Sequence, residues 1–212
     1  MASTLKGLYG ITGAEQGLEA VEAALTAGLC LLQYRNKTDR EGVREAQALE
    51  LLALCRRHGT PLLLNDDVEL CARIKADGVH LGQQDLTLTA ARNRLGPEAI
   101  IGITCHQSLD LAWQAKEGGA DYVAFGRFFP SSTKPEAPAA SPEILAIASR
   151  LLSLPIVAIG GINTENGASL IAAGADMLAV SEGLFAARDV AATASKLKRL
   201  FTADQSIQNQ PQ

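Results

Sequence analysis

Four times this chain repeats one phrase: AGLCLLQ from Ala27, ADGVHLG from Ala76, GGADYVAFG from Gly118 and AGADMLAVS from Ala173. Such a period marks a repeated supersecondary unit. In each copy a glycine stops a helix where positive φ is tolerated, and an apolar run follows. The runs lack polar alternation, as strands buried on both faces do. Further apolar runs, LKGLYGIT near the start, PLLLN at 61–65, AIIGIT at 99–104 and LPIVAIGG at 154–161, bring the strands to eight. Helical patterns lie between them at 17–27, 40–57, 86–95, 109–117, 142–152, 164–173 and 190–201. Eight strands alternating with helices in 212 residues predict an α/β fold, a single (β/α)8 TIM barrel over residues 1–202. A doubly wound open sheet is the alternative, because periodicity does not report closure. The stretch ADQSIQNQPQ, residues 203–212, is polar and unpatterned, and reads as a disordered tail.

Charge narrows the partners. The net charge is −4, with Lys and Arg interspersed among the acids. No basic stripe can track a nucleic-acid backbone or an anionic membrane, so small molecules are the expected partners. The start, MASTLKGLYG, has no apolar stretch of signal-peptide length, and no segment reaches the length of a membrane span, so a cytoplasmic location is expected. Cys30, Cys55, Cys71 and Cys105 are widely separated and form no C-x-x-C pair; they read as reduced and mostly buried. Trp113, Phe185 and Phe201 fall at apolar helical positions and are expected in the core.

In a barrel of this kind the functional residues stand at the C-terminal ends of the strands. The second strand ends LLQYRNK, with Gln33, Arg35 and Lys37 at period two; on one strand face they make a donor cluster for anionic oxygens. The third ends LLLNDD, where a buried run stops abruptly at Asn65, Asp66 and Asp67. The fourth ends at His80, with Gln83 and Asp85 just beyond in HLGQQD. Cationic donors beside paired carboxylates suit a polyphosphate bridged by Mg2+, a hard cation that takes one or two carboxylates plus phosphate oxygens. Asp66 and Asp85 are therefore expected to hold Mg2+, with Asn65 and the second-strand residues on the phosphates. Asp67 is assigned to capping the next helix. Capping alone is the bland account of NDD, and the matching Asp85 on the next loop favours the metal.

Thr104 and His106 stand at the end of the fifth strand, GITCH. The sixth runs into FGRFFPSSTKPEAP, a loop of lid-like length in which Ser131, Ser132, Thr133 and Lys134 can wrap a phosphate, although composition alone fits a solvated turn. Gly160 and Gly161 after the seventh strand, with Ser181 after the eighth, match the usual barrel phosphate site. A zinc site of His80, His106 and Asp85 is the weaker reading, since the histidines lack ligand spacing and the phosphate-type donors go unexplained.

The set QYRNK, LLLNDD, DGVHLGQQD, GITCH, FGRFFPSSTK, AIGGI and AVS, in this order, resembles thiamine phosphate synthases from Leu8 to about Phe201. The resemblance implies condensation of a hydroxymethylpyrimidine diphosphate with a thiazole phosphate, giving thiamine phosphate and pyrophosphate. It also implies that Gln33, Arg35, Lys37, Asn65 and Lys134 contact the pyrimidine diphosphate and that Asp66 and Asp85 ligate magnesium. Ser131, Thr133, Gly161, Val180 and Ser181 match positions that hold the thiazole phosphate. Thr104 stands where the family often has serine, which implies a hydroxyl contact to the pyrimidine or the leaving group, and Glu182 puts a carboxylate beside Ser181. Two other readings stay open. A thiazole tautomerase on the same barrel would use His106 as general acid or base and need no diphosphate donors, and a non-catalytic sensor of a phosphorylated metabolite would need only the phosphate pocket. Barrels of this kind often pair as homo-oligomers.

Overall fold

The computed structural model describes residues 5–37, 40–130 and 139–208, with side chains up to residue 202. Eight parallel strands close on themselves in sequence order: β1 (Gly7–Thr12), β2 (Leu31–Tyr34), β3 (Leu62–Asn65), β4 (Gly78–Leu81), β5 (Ile100–His106), β6 (Tyr122–Phe125), β7 (Ile156–Ile159) and β8 (Met177–Val180). β8 pairs with β1, Leu178 against Leu8 and Val180 against Gly10. The open-sheet alternative is thereby excluded. The helices α1 (Leu18–Ala27), α2 (Glu41–His58), α3 (Val68–Ile74), α4 (Leu88–Leu95), α5 (Leu109–Glu117), α6 (Glu143–Leu151), α7 (Gly167–Ala172), α8 (Glu182–Phe185) and α9 (Val190–Gln208) follow the strands, α8 and α9 both after β8.

Strand alternation divides the apolar residues into two cores. Tyr9, Leu31, Leu63, Tyr122, Val157 and Met177 are among those that fill the barrel interior, while Leu8, Leu32, Leu62, Val79, Phe125 and Leu178 join the larger core shared with the helices. This is why the runs show no polar alternation. Both faces of each strand are buried.

The repeated phrase has a physical function at the N-terminal ends of the strands. Asp77, Asp121 and Asp176 each precede an even-numbered strand, and each is tied twice to the strand before it. Leu62 N donates to Asp77 Oδ2 at 2.8 Å, Ile101 N to Asp121 Oδ2 at 2.7 Å and Ile156 N to Asp176 Oδ2 at 2.9 Å. In return, the backbone N–H groups of the three aspartates donate to the carbonyls of Leu62, Ile101 and Ile156. At the corresponding point before β2 stands Cys30, whose backbone N–H donates to Leu8 O. Replacing Asp121 with alanine leaves the Ile101 N–H without its acceptor and Arg92 Nη2 without its 2.7 Å ion pair. An orphaned buried donor costs about 1–3 kcal/mol, so the urea midpoint of Asp121→Ala should fall by that equivalent.

Three sequence expectations need correction or extension. Trp113 is 48% exposed rather than core, because α5 buries Ala112 and Ala115 and turns Trp113 outward, where Lys116 Nζ lies 4.5 Å from the ring centroid. Phe185 and Phe201 are buried as expected. α3 was absent from the helical patterns, since seven residues carry too few turns to show a period. The backbone of α9 continues to Gln208, past the point where the tail was placed, and neither Gly nor Pro interrupts 203–208. The four cysteines are free, and three of them are buried. Among the described residues no helix is long and apolar enough to cross a membrane.

Candidate active site

The C-terminal rim brings the two expected carboxylates together. Asp66 follows β3 directly in the left-handed region at φ 65°, a conformation that short polar Asp tolerates better than most residues. Its backbone N–H donates to His80 O at 2.9 Å, which fixes the turn against β4. Asp85 reaches the same place from the loop after β4, its Oδ2 accepting from Gly82 N at 2.7 Å. Partial burial raises the Asp85 carboxyl above the ordinary carboxylate range, the adjoining Asp66 carboxyl raises it further, and Gly82 N–H and Lys37 oppose the shift. Lys37 Nζ sits 2.8 Å from Asp66 Oδ2. Two adjoining carboxylates, one of them paired with an ammonium, are a ligand set that a small divalent cation fits. Backbone strain at such a point is characteristic of functional positions.

Asp67 does what capping requires. Its Oδ1 accepts from Leu70 N at 2.9 Å at the start of α3, and Oδ2 lies 3.5 Å from Arg44. The expectation that Gln33, Arg35 and Lys37 leave one strand face is not met, because β2 ends at Tyr34. Gln33 points into the barrel and is 2% exposed. Arg35 and Lys37 instead stand on the loop beyond, where Arg35 N donates to Thr12 O at 2.8 Å. Asn65 is half-buried at the end of β3, in register with His80.

His80 is buried, not free at the rim: Nδ1 lies 2.8 Å from Tyr122 Oη and Nε2 2.8 Å from Thr104 Oγ1. Thr104 is half-buried on β5, just before a register shift that leaves His106 exposed at φ 52°. No cluster of three or more His, Cys, Asp or Glu suited to a metal exists among the described residues, which removes support for the zinc reading.

The diglycine after β7 serves the neighbouring loop as well as any ligand. A Cβ on Gly160 would lie 2.3 Å from Arg127 Cβ, and one on Gly161 2.3 Å from Pro130 O. Phe128 N and Phe129 N donate to Ile159 O and Gly160 O, while Ala140 N closes the base of the loop onto Arg127 O at 2.7 Å. The chain thus enters 131–138 beside Gly161. Ser131, Ser132, Thr133 and Lys134 lie outside the described residues. Ser181 is half-buried at the start of α8, its carbonyl accepting from Leu184 N and Phe185 N. Val180 is 1% exposed in the outer core, so its side chain is closed to a ligand. Glu182 is exposed.

Sequence reasoning missed Tyr9 and Tyr122. Their hydroxyls meet at 2.9 Å inside the barrel, and the Gln33 amide nitrogen donates to Tyr9 Oη. The available signal was Gly102: a Cβ there would lie 1.9 Å from Tyr122 Cζ, so the glycine exists to admit that ring.

Known proteins resemble this chain over most of its length. The family model described as thiamine monophosphate synthase matches residues 8–184. The chain is 52% identical over 202 residues to the thiamine-phosphate synthase of Thiobacillus denitrificans, covering 93% of this chain and 96% of that protein. It is 51% identical over 202 residues to that of Thioalkalivibrio sulfidiphilus, covering 93% and 96%. Among solved structures, thiamine phosphate pyrophosphorylase from Pyrococcus furiosus superposes with a TM-score of 0.85 at 30% identity, over 94% of this chain and 96% of the other. The match of the family model across most of the barrel, together with these relatives, means that the chain belongs to the thiamine monophosphate synthase family.

Proposed function

We propose that this chain is a transferase that joins 4-amino-2-methyl-5-hydroxymethylpyrimidine diphosphate to hydroxyethylthiazole phosphate, forming thiamine phosphate and releasing pyrophosphate. The observation that carries this reading is the pairing of Asp66 with Asp85 at the mouth of the barrel, with Lys37 on Asp66, in a chain whose relatives bear the name of that activity. A tautomerase or a simple phosphate sensor has no use for this arrangement.

The bond between the pyrimidine methylene carbon and the diphosphate oxygen breaks, and its electron pair leaves with pyrophosphate. The aminopyrimidine delocalises the resulting carbocation, and the thiazole nitrogen lone pair forms the new C–N bond. No protein nucleophile is required. The protein stabilises negative charge developing on the leaving group through donors fixed beforehand. Arg35 and Lys37 approach the diphosphate from the β2 loop, Asn65 from the end of β3, Lys134 from the β6 loop and Thr104 from β5. Gln33 acts beneath them, ordering the buried side of the pyrimidine pocket. Asp66 and Asp85 would hold Mg2+, which would supply positive charge to the leaving diphosphate. The thiazole phosphate is assigned to Ser131, Thr133, Gly161 and the Val180–Ser181 backbone, with Glu182 on the solvent side.

Incubating the purified protein with both substrates should yield thiamine phosphate and pyrophosphate with Mg2+, and none after chelation. Product formation unaffected by chelator removes the carboxylate pair from the mechanism, and folded protein that binds thiazole phosphate without turnover removes the synthase reading. Lys134→Ala should lose most turnover while remaining folded, as judged by circular dichroism.

A further inference from the structure

A single line of hydrogen bonds crosses the barrel interior beneath the mouth. It runs from the Gln33 amide nitrogen to Tyr9 Oη, to Tyr122 Oη at 2.9 Å, to His80 Nδ1 at 2.8 Å, and from His80 Nε2 to Thr104 Oγ1 at 2.8 Å. Every member except Thr104 is buried, with Tyr122 fully enclosed. The rings are held by packing as well: His80 stacks on Tyr122 at 5.6 Å and 19°, and Tyr9 meets Tyr122 edge-on at 88°. Burial keeps both tyrosines protonated by raising their hydroxyls far above the usual range.

Each hydroxyl has one proton to give, and a neutral imidazole has one N–H. With His80 neutral and each hydroxyl giving its proton within the line, the direction of every bond follows from the first. Gln33 donates to Tyr9, so Tyr9 spends its proton on Tyr122 and Tyr122 spends its own on His80 Nδ1. His80 then carries its hydrogen on Nε2 and donates it to Thr104 Oγ1. The Thr104 hydroxyl, satisfied as an acceptor, keeps its proton for the mouth. Reversing the Gln33 amide would reverse every step and consume the Thr104 proton on His80.

We propose that Tyr9, Tyr122 and His80 are positioning residues: they fix one tautomer of His80 and so make Thr104 a hydrogen-bond donor in the mouth, aimed at an anionic oxygen of the departing diphosphate. This identity of the acceptor rests on the synthase reading; the direction of the line does not. A donor is what a leaving group gaining negative charge needs, whereas Thr104 offering lone pairs would repel it. The relay also explains why two tyrosines occupy interior positions where aliphatic residues would fill the same space without polar atoms to satisfy.

The test has two parts. Long-range 1H–15N correlation on 15N-histidine-labelled protein, with the His80 signals identified against a His58→Gln/His106→Gln double variant, reads the tautomer without substrate. The proton should be on Nε2. Tyr122→Phe keeps the ring and removes the only donor of the line to Nδ1; it should give a mixture of tautomers and on the order of tenfold lower turnover, with KM for either substrate changed by less than about twofold. His80 protonated on Nδ1 in the unaltered protein overturns the proposal, as does Tyr122→Phe with unchanged turnover. If the unaltered protein shows Nε2–H but makes no thiamine phosphate, the synthase reading fails while the direction of the relay stands.

Discussion

Asp85→Ala should lower turnover about 100-fold or more while the barrel stays folded, a loss of the size seen when one preorganised electrostatic contact to a developing charge is removed. Asp85 lies on an exposed loop and contributes one side-chain hydrogen bond, from Gly82 N, so little of the core depends on it. Its proposed work is shared with Asp66: two carboxylates held against each other bind a divalent cation that either alone holds poorly. The pH dependence gives a sharper reading than the rate. Because burial and Asp66 raise the Asp85 pKa in the folded protein, ionisation is disfavoured there relative to the unfolded chain. Without cation, this group contributes stability below its unfolded pKa that is lost as pH rises through the raised folded value. With cation, the carboxylate is captured and the loss is offset. Mg2+ should therefore raise Tm more at neutral than at acidic pH, and Asp85→Asn should abolish that difference. Equal stabilisation of both proteins at every pH would place the cation elsewhere.

The second large effect belongs to Gly102→Ala. The added methyl would lie 1.9 Å from Tyr122 Cζ and 2.3 Å from its oxygen, far inside any tolerable contact. Tyr122 is fully enclosed and pinned by His80 and Tyr9, so its ring has nowhere to retreat. Overpacking of this kind costs about 3 kcal/mol, which in a chain of this size corresponds to roughly 10 °C in Tm by thermal unfolding. Combining Gly102→Ala with Tyr122→Leu should restore part of the stability but not turnover, since the ring is gone with its hydroxyl. A Gly102→Ala protein as stable as the parent would mean that the interior is looser than these distances imply.

The two substitutions also show what could be read in advance. Asp66, Asp67 and Asp85 were legible because carboxylates ending a buried apolar run have few structural excuses, and the structure sets Asp67 on the next helix while Asp66 and Asp85 adjoin each other. Closure was legible only as a count of eight, because neighbouring strands and their register are set by interactions far apart in sequence. Period two placed Gln33, Arg35 and Lys37 on one face, but that rule holds only while the strand lasts, and β2 stops after four residues. Trp113 was misassigned because on a short helix packed through alanines, apolar character alone does not tell the inner face from the outer. Tyr9 and Tyr122 lay hidden in runs that read as generic strand, for their meaning comes from a contact spanning 113 residues.

The three aspartate ties at the opposite end of the barrel separate durability from chemistry. Asp77, Asp121 and Asp176 clamp β3 to β4, β5 to β6 and β7 to β8 at the ends remote from the mouth. Each clamp is closed within 15 or 20 residues of chain. The rim loops can therefore be rewritten over generations without loosening the staves they stand on, and a lineage can trade one phosphorylated substrate for another while inheriting the same hoop.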